Sequence, residues 1–215
     1  IRSTSDSGDT PVDKRSSVVS PLAHLVWRFD APKRDQLRLS LTQSYRAPTL
    51  RNLIALPALN TLYPVPGSNV ASSPDRAGNP QLEPEQSHGI DLALERYLGN
   101  GGIVSVNLFH RRIRDLIRNV TTLEDVPWAD EPRWVSRPRN LGRATVEGVE
   151  FDAKFRLTEL QPDWLPLDLR MNLSLYRSRV ESVPGPDNRI DQQPHAVGNL
   201  GADYRFRGTA WTVGG

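Results

Sequence analysis

The sequence predicts an all-β fold, an antiparallel up-and-down meander of about eight strands. Three observations carry that expectation. Segment after segment alternates apolar and polar residues with period two. The connections between those segments alternate between short and long. Eighteen prolines and 15 glycines in 215 residues punctuate the alternating stretches with turn chemistry.

The strands come first. Leu37, Leu39 and Leu41 alternate with Arg38, Ser40 and Thr42, and Ile90, Leu92 and Leu94 with Asp91, Ala93 and Glu95. Val104, Val106 and Leu108 alternate with Ser105 and Asn107. Val149, Phe151, Ala153, Phe155 and Leu157 stand opposite Glu150, Asp152, Lys154 and Arg156. Leu167, Leu169, Met171, Leu173 and Leu175 do so against Asp168, Arg170, Asn172 and Ser174, and Leu200, Ala202, Tyr204 and Phe206 against Asn199, Gly201, Asp203 and Arg205. In a pleated strand such sets point to opposite faces. Residues 18–29 form a less regular strand, and 209–215 begin a last one. In the strand over 102–118 the alternation slips after Leu108, which predicts either a β-bulge or projection beyond a bilayer.

Short connections fall at 30–35, 98–102, 158–166 and 207–208; long ones fall at 47–82, 119–137 and 183–194. In a meander this sorts every short turn to one rim and every long loop to the other. Outer-membrane barrels show that asymmetry, whereas a soluble sandwich has no cause for it. Strand patterning alone fits both a barrel and a soluble sheet. The sorted loops favour the barrel, with strands 18–29, 83–97, 138–157 and 196–206 running toward the short turns.

Composition closes several other classes. No run of about 18 apolar residues exists, so no transmembrane helix is predicted, but a barrel strand needs only about 9–11 residues. A net charge of +2 gives no basis for a nucleic-acid partner. Without cysteine there is neither disulfide nor thiolate metal site. The four histidines, His24, His88, His110 and His195, lack ligand spacing, so no metal or cofactor is predicted. No Ser-His-Asp set, P-loop or dinucleotide fingerprint is visible, and the chain is not expected to be an enzyme. The sequence opens at Ile1 and stops inside the last strand pattern, as expected of a segment of a longer protein.

Five stretches carry a family resemblance. Ser44-Tyr45-Arg46-Ala47-Pro48-Thr49-Leu50 resembles the S-x-x-FRAP stretch of TonB-dependent outer-membrane receptor barrels, with Tyr45 where Phe is usual. Gly78-Asn79-Pro80-Gln81-Leu82-Glu83-Pro84-Glu85-Gln86-Ser87 resembles their GNPxLxPExS motif. Residues 109–117 are similar to their FYxxIxDLI strand, with His110 in place of Tyr. The stretch from Asn140 to Glu150 is similar to N-x-G-x-A-x-x-x-GvE, and Pro194-His195 before Asn199-Leu200 to a P-x-H-x-x-N-L element. Together they cover roughly residues 40–206 in family order.

The resemblance implies a receptor of the bacterial outer membrane that binds a scarce nutrient such as an iron-siderophore and imports it with energy passed through TonB. It implies a barrel of the 22-stranded type around a plug domain. Residues 1–215 would be part of the barrel alone, in contact with the lipid bilayer, and TonB would act through the absent plug. The motif residues are expected to be architectural: Gly148 marks a bend or close backbone approach, and Pro80 and Pro84 mark entry into a strand.

The candidate ligand contacts are aromatic and cationic residues on the long loops: Tyr63, Trp128 and Trp134, with Arg133 and Arg137. Such side chains recognise flat or anionic ligands, and Trp and Tyr also form girdles at bilayer interfaces. Trp27 and Tyr97, near the short-turn rim, fit the girdle. The alternative to an importer segment is a non-transporting β-domain for binding or adhesion. The two differ in what covers Leu39, Leu92, Phe151, Leu173 and Leu200: lipid, or a second sheet.

Overall fold

A computed structural model describes residues 2–5, 12–15, 17–30, 32, 34–99, 101–183, 185–186 and 188–215. The elements in chain order are β1 (Arg2–Ser5), β2 (Val12–Arg15), β3 (Leu22–Asp30), β4 (Asp35–Arg46), the helical turn α1 (Leu50–Leu53) and β5 (Asp75–Arg76). They continue with β6 (Glu85–Tyr97), β7 (Ile103–Arg114), β8 (Ile117–Glu124), β9 (Arg133–Asn140), β10 (Arg143–Arg156), β11 (Leu167–Val180), β12 (Ala196–Arg205) and β13 (Thr212–Gly214). Two compact units result: a sheet unit (21–43, 88–112 and 144–215) and a loop unit (1–20, 44–87 and 113–143).

Eight strands form one sheet in the order β13-β12-β11-β10-β7-β6-β4-β3. That is sequence order once the separate pair β1–β2 and the strands inside the long loops (β5, β8 and β9) are set aside, which is the predicted meander. Its two ends, β3 and β13, are not paired to each other, so the sheet is a partial, unclosed wall. Registers are regular: Leu25 faces Leu39 across β3–β4, Phe151 faces Leu173 across β10–β11, and Met171 faces Leu200 across β11–β12.

The two faces of the sheet unit differ as the alternation requires. One face shows Leu25, Leu41, Leu92, Leu108, Val149, Leu173 (42% exposed) and Leu200 (74% exposed), with no second sheet over them among the described residues. A contiguous apolar face of this extent is foreign to soluble monomers and is what a bilayer solvates. At the short-turn end the same face carries Trp27 beside Phe29, Tyr204 edge-on to Phe206 at 5.0 Å, and Trp211. These aromatics suit a girdle at the membrane–water boundary. Tyr97 does not join them. It lies on the other face, where its hydroxyl donates to Glu95 Oε2 at 2.9 Å, so the expected girdle role of Tyr97 is corrected.

The opposite face pairs its charges across neighbouring strands. Arg38 meets Glu95 at 2.7 Å, Arg111 meets Asp91 at 2.8 Å, and Arg170 meets Asp203 at 3.1 Å. The Asn107 amide donates to Glu150 and that of Asn172 to Asp152. The slip after Leu108 has a packing cause. Phe109 lies on this polar face because Gly148 leaves room for it: a Cβ on Gly148 would stand 2.7 Å from Phe109 Cζ and collide with the Leu175 carbonyl. Arg111 sits 5.4 Å over the same ring.

Three sequence expectations change. Residues 119–137 are not an irregular loop but carry most of the hairpin β8–β9, joined in register from Ile117↔Asn140 to Glu124↔Arg133. The strand expected over 138–157 is two strands, β9 and β10, separated at Leu141-Gly142, where Gly142 has φ 78°. The strand expected over 102–118 ends at Arg114, before Asp115 at φ 56°.

Candidate functional site

The loop unit gathers all the candidate ligand contacts, and the family-like motifs build its frame. Arg46 ends β4 and clamps Glu85 at the start of β6 through two bonds, Nε–Oε2 at 2.8 Å and Nη2–Oε1 at 3.1 Å. Glu85 Oε1 also accepts from the Ile117 N–H at 2.7 Å, which fixes the start of β8. The Asn140 amide reaches both ways: its oxygen accepts from the Glu83 N–H, and its nitrogen donates to the carbonyls of Glu83 and Asp115. Gly78 runs so close to the 52–54 backbone that a Cβ would lie 2.8 Å from the Asn52 carbonyl and overlap that of Ile54. The Asn79 side chain accepts from Gln81 N–H and donates to the Pro138 carbonyl. Four motifs far apart in sequence, 44–50, 78–87, 109–117 and 140–150, thus lock to one another, which is the architectural role expected of them.

The centre of the unit is an ion pair rather than an apolar cluster. Asp75 and Arg133 are both fully buried. Arg133 Nε donates to Asp75 Oδ2 at 2.6 Å and Nη2 to Oδ1 at 2.9 Å. The rest of the guanidinium donates to the carbonyls of Tyr63 and Gly67. Asp75 also accepts from the Asn60 N–H and from Trp128 Nε1. Burial pushes the Asp75 carboxyl up, but the bonds from Arg133, Asn60 and Trp128 and the guanidinium charge outweigh it and hold the group below its usual range. The same partner holds Arg133 firmly protonated. Val135, Ala77 and Val126 form a small apolar cluster beside it, covered by Trp128 and Ala129.

A second charged group borders the first. Glu124 accepts from Arg137 Nε at 2.8 Å and from Arg139 Nη2 at 3.0 Å. Burial raises the Glu124 carboxyl, and its bonds to Arg137, Thr122 and Arg139 bring it below the ordinary value. Arg137 also donates to the Gly78 carbonyl and lies 5.8 Å from the Trp128 ring centroid.

The five candidate residues therefore occupy one structural unit but stand differently in it. Arg133 is enclosed and saturated, a strut that ties 63–67 and Asp75 to β9. Trp128 and Arg137 are half-buried and stacked together. Tyr63 and Trp134 are half-buried, and the Trp134 backbone is bracketed by both ends of the Asn69 amide. Asp75, Asn60 and Asn69 were not foreseen. An Asp between Pro74 and Arg76 reads as turn chemistry, and nothing in the sequence couples it to an arginine 58 positions later.

Similarity to known proteins agrees with this architecture. The family model for "TonB dependent receptor-like, beta-barrel" matches residues 2–215. The chain is 26% identical over 143 residues to the iron-regulated outer membrane virulence protein of Vibrio cholerae serotype O1, covering 65% of this chain and 20% of that protein. Among solved structures it is similar to a mutant of the ferric enterobactin receptor PfeA from Pseudomonas aeruginosa in complex with enterobactin, with TM-score 0.61, 18% identity, and 89% of this chain and 26% of that one covered. It is similar to the siderophore receptor PirA from Acinetobacter baumannii, with TM-score 0.60, 17% identity, and 88% and 27% covered. The copper transporter OprC matches with TM-score 0.61 at 16% identity, over 91% of this chain and 25% of that one. The chain spans about a fifth of the curated relatives and about a quarter of these structures. With its sorted loops, lipid-type face and interlocked motifs, the chain belongs to the TonB-dependent receptor β-barrel family of the outer membrane.

Proposed function

We propose that this chain is one stretch of wall, with its loops, of an outer-membrane importer that takes up a chelated metal, an iron-siderophore above all. The observation that carries the reading is the division of the sheet into an uncovered apolar face and a face of paired charges. It suits a wall between lipid and an aqueous lumen. The iron-regulated relative and the siderophore receptors of similar fold support iron as the cargo metal. The segment is non-enzymatic in this reading, and the whole of 1–215 is barrel. TonB engages the plug domain, which lies elsewhere in the protein. Within the loop unit, Tyr63, Trp134 and the Trp128–Arg137 stack make ligand contact, and Arg133 positions them. A binding or adhesion domain is disfavoured because it would need a second sheet over Leu92 and Leu173.

The test uses the full-length receptor in its native cell under iron limitation. Loss of the receptor should abolish growth on one ferric siderophore, the growth should require TonB, and Trp134→Ala with Arg137→Ala should lower uptake at unchanged surface abundance. Retention of siderophore at the surface with no TonB-dependent accumulation would replace the importer reading with a binding protein.

A further inference from the structure

The loop unit contains a cleft of about 470 Å³ between residues 51–58 on one side and β5 and β9 on the other. We propose that this cleft binds the anionic oxygens of a flat, partly apolar ligand, with Arg51 and Arg76 as the paired cations. The inference deepens the proposed function and rests on it only for what the bound ligand is used for.

Charge pairing and position together single these two arginines out: Arg114 of the same unit also has no partner among the described residues, but it does not line the cleft. In the same unit Arg46 is bonded to Glu85, Arg133 to Asp75, and Arg137 and Arg139 to Glu124. Among the described residues the Arg51 and Arg76 guanidiniums have no carboxylate or hydrogen-bond partner, yet both line the cleft, and none of its lining residues is acidic. Two uncompensated cations in one concavity with protein walls focus a positive potential. Arg forks match the geometry of a carboxylate or phenolate pair.

The rest of the lining fits such a ligand. Asn52 and Asn119 present side-chain amides, and Ile54 and Leu56 supply an exposed apolar wall. The floor is fixed. Ala58 and Arg76 exchange both backbone hydrogen bonds at 2.7 and 3.0 Å, Gly78 N–H donates to Ile54, and Ala77 N–H to the Ser136 carbonyl. The close approach at Gly78 holds the 52–54 backbone against this floor, so the cleft is formed before any ligand arrives.

The experiment is saturation-transfer NMR on the purified full-length receptor in detergent, with 2-naphthoate as probe and neutral 2-naphthamide as its uncharged match. Naphthoate should bind at least tenfold more tightly than naphthamide. Arg51→Gln with Arg76→Gln should weaken naphthoate about tenfold or more, while Arg114→Gln, a loop-unit arginine away from the cleft, should leave it unchanged. An unaltered limited-proteolysis pattern in the double variant shows that the loop unit is intact. Equal binding of the two probes, or wild-type naphthoate binding by the double variant, overturns the site. Failure of ferric-siderophore import with naphthoate binding intact would remove the importer reading and leave the site standing.

Discussion

The Arg46 guanidinium and the Glu85 carboxylate meet at two points, 2.8 and 3.1 Å apart, and the same carboxylate receives the Ile117 N–H. One acidic side chain thus ties together the last residue of β4, the first of β6 and the first of β8. The partners are unequal: the Arg46 side chain is 72% exposed and that of Glu85 only 9%. Glu85→Ala leaves the Ile117 N–H without its acceptor and should destabilise the loop unit by about 1–3 kcal/mol. Arg46→Ala removes a solvent-screened cation and should cost less than about 1 kcal/mol. Hydrogen exchange of segments 85–87 and 115–120 in the purified receptor reads both, and a larger effect for Arg46→Ala would contradict this ordering.

The buried pair at the centre predicts a larger loss. Arg133→Met leaves the Asp75 carboxylate buried with only the Asn60 and Trp128 donors. It should destabilise the loop unit by about 3–5 kcal/mol, seen as protease cleavage within 57–76 while the strands stay protected. If the proposed ligand contacts in this unit hold, ligand binding by the full-length receptor should fall with it, because Arg133 carries the 63–67 backbone. Protease resistance equal to wild type would show that the pair is not the centre of the unit.

Acid should loosen the same unit. The Asp75 and Glu124 carboxyls both lie below their ordinary values of 3.8 and 4.5. The folded unit therefore binds fewer protons than the unfolded chain in that range. The stabilisation they give is complete above those ordinary values and is lost as pH falls through them toward the folded values. Protease protection of 57–76 should be flat from about pH 7 to 5 and decline below about pH 4. A decline already complete near neutrality would place the responsible group elsewhere.

On the sheet, Leu173 and Asn172 give a paired test of facing. Leu173→Arg puts a charge on the apolar face near the middle of β11 and should cost about 2–4 kcal/mol. Asn172→Lys sets a cation beside Asp152 on the charged face and should assemble normally. Folded barrel on unheated electrophoresis measures both, and the reverse order would invert the faces.

Gly148 gives a third handle on the sheet. Gly148→Val drives a side chain into the Phe109 ring and the Leu175 carbonyl. It should reduce assembled receptor by a penalty of about 1–3 kcal/mol. Adding Phe109→Ala should restore only part, since the carbonyl is backbone. Full restoration would mean that the ring is the whole obstacle.

These relationships mark what the sequence could disclose. Strands such as β6 and β11 were legible because Leu and Ile fall on every second residue. The order of short and long connections then gave the sheet its topology. The β8–β9 hairpin was not legible because neither face is apolar: Ile117, Asn119, Thr121 and Leu123 share one, and Arg118, Val120, Thr122 and Glu124 the other. Its partner strand carries Pro138, which argues against a strand. A loop core built on Asp75 and Arg133 leaves no hydrophobic period to read. Arg133 looked like a ligand contact for the same reason, since its burial depends on a residue 58 positions away. The motif glycines were legible as constraints, but the Ile54 carbonyl beside Gly78 and the Phe109 ring beside Gly148 came only with the fold.

The most direct test of the barrel assignment is the side of the membrane on which each kind of connection lies. Single cysteines at Ser68, in a long connection, and at Gly99, in a short one, would be placed in the full-length receptor of intact cells and exposed to an impermeant thiol reagent. Labelling at position 68, and at position 99 only after the outer membrane is opened, is the predicted result. Equal labelling of both in intact cells, or recovery of the receptor in the soluble fraction, would contradict the assignment.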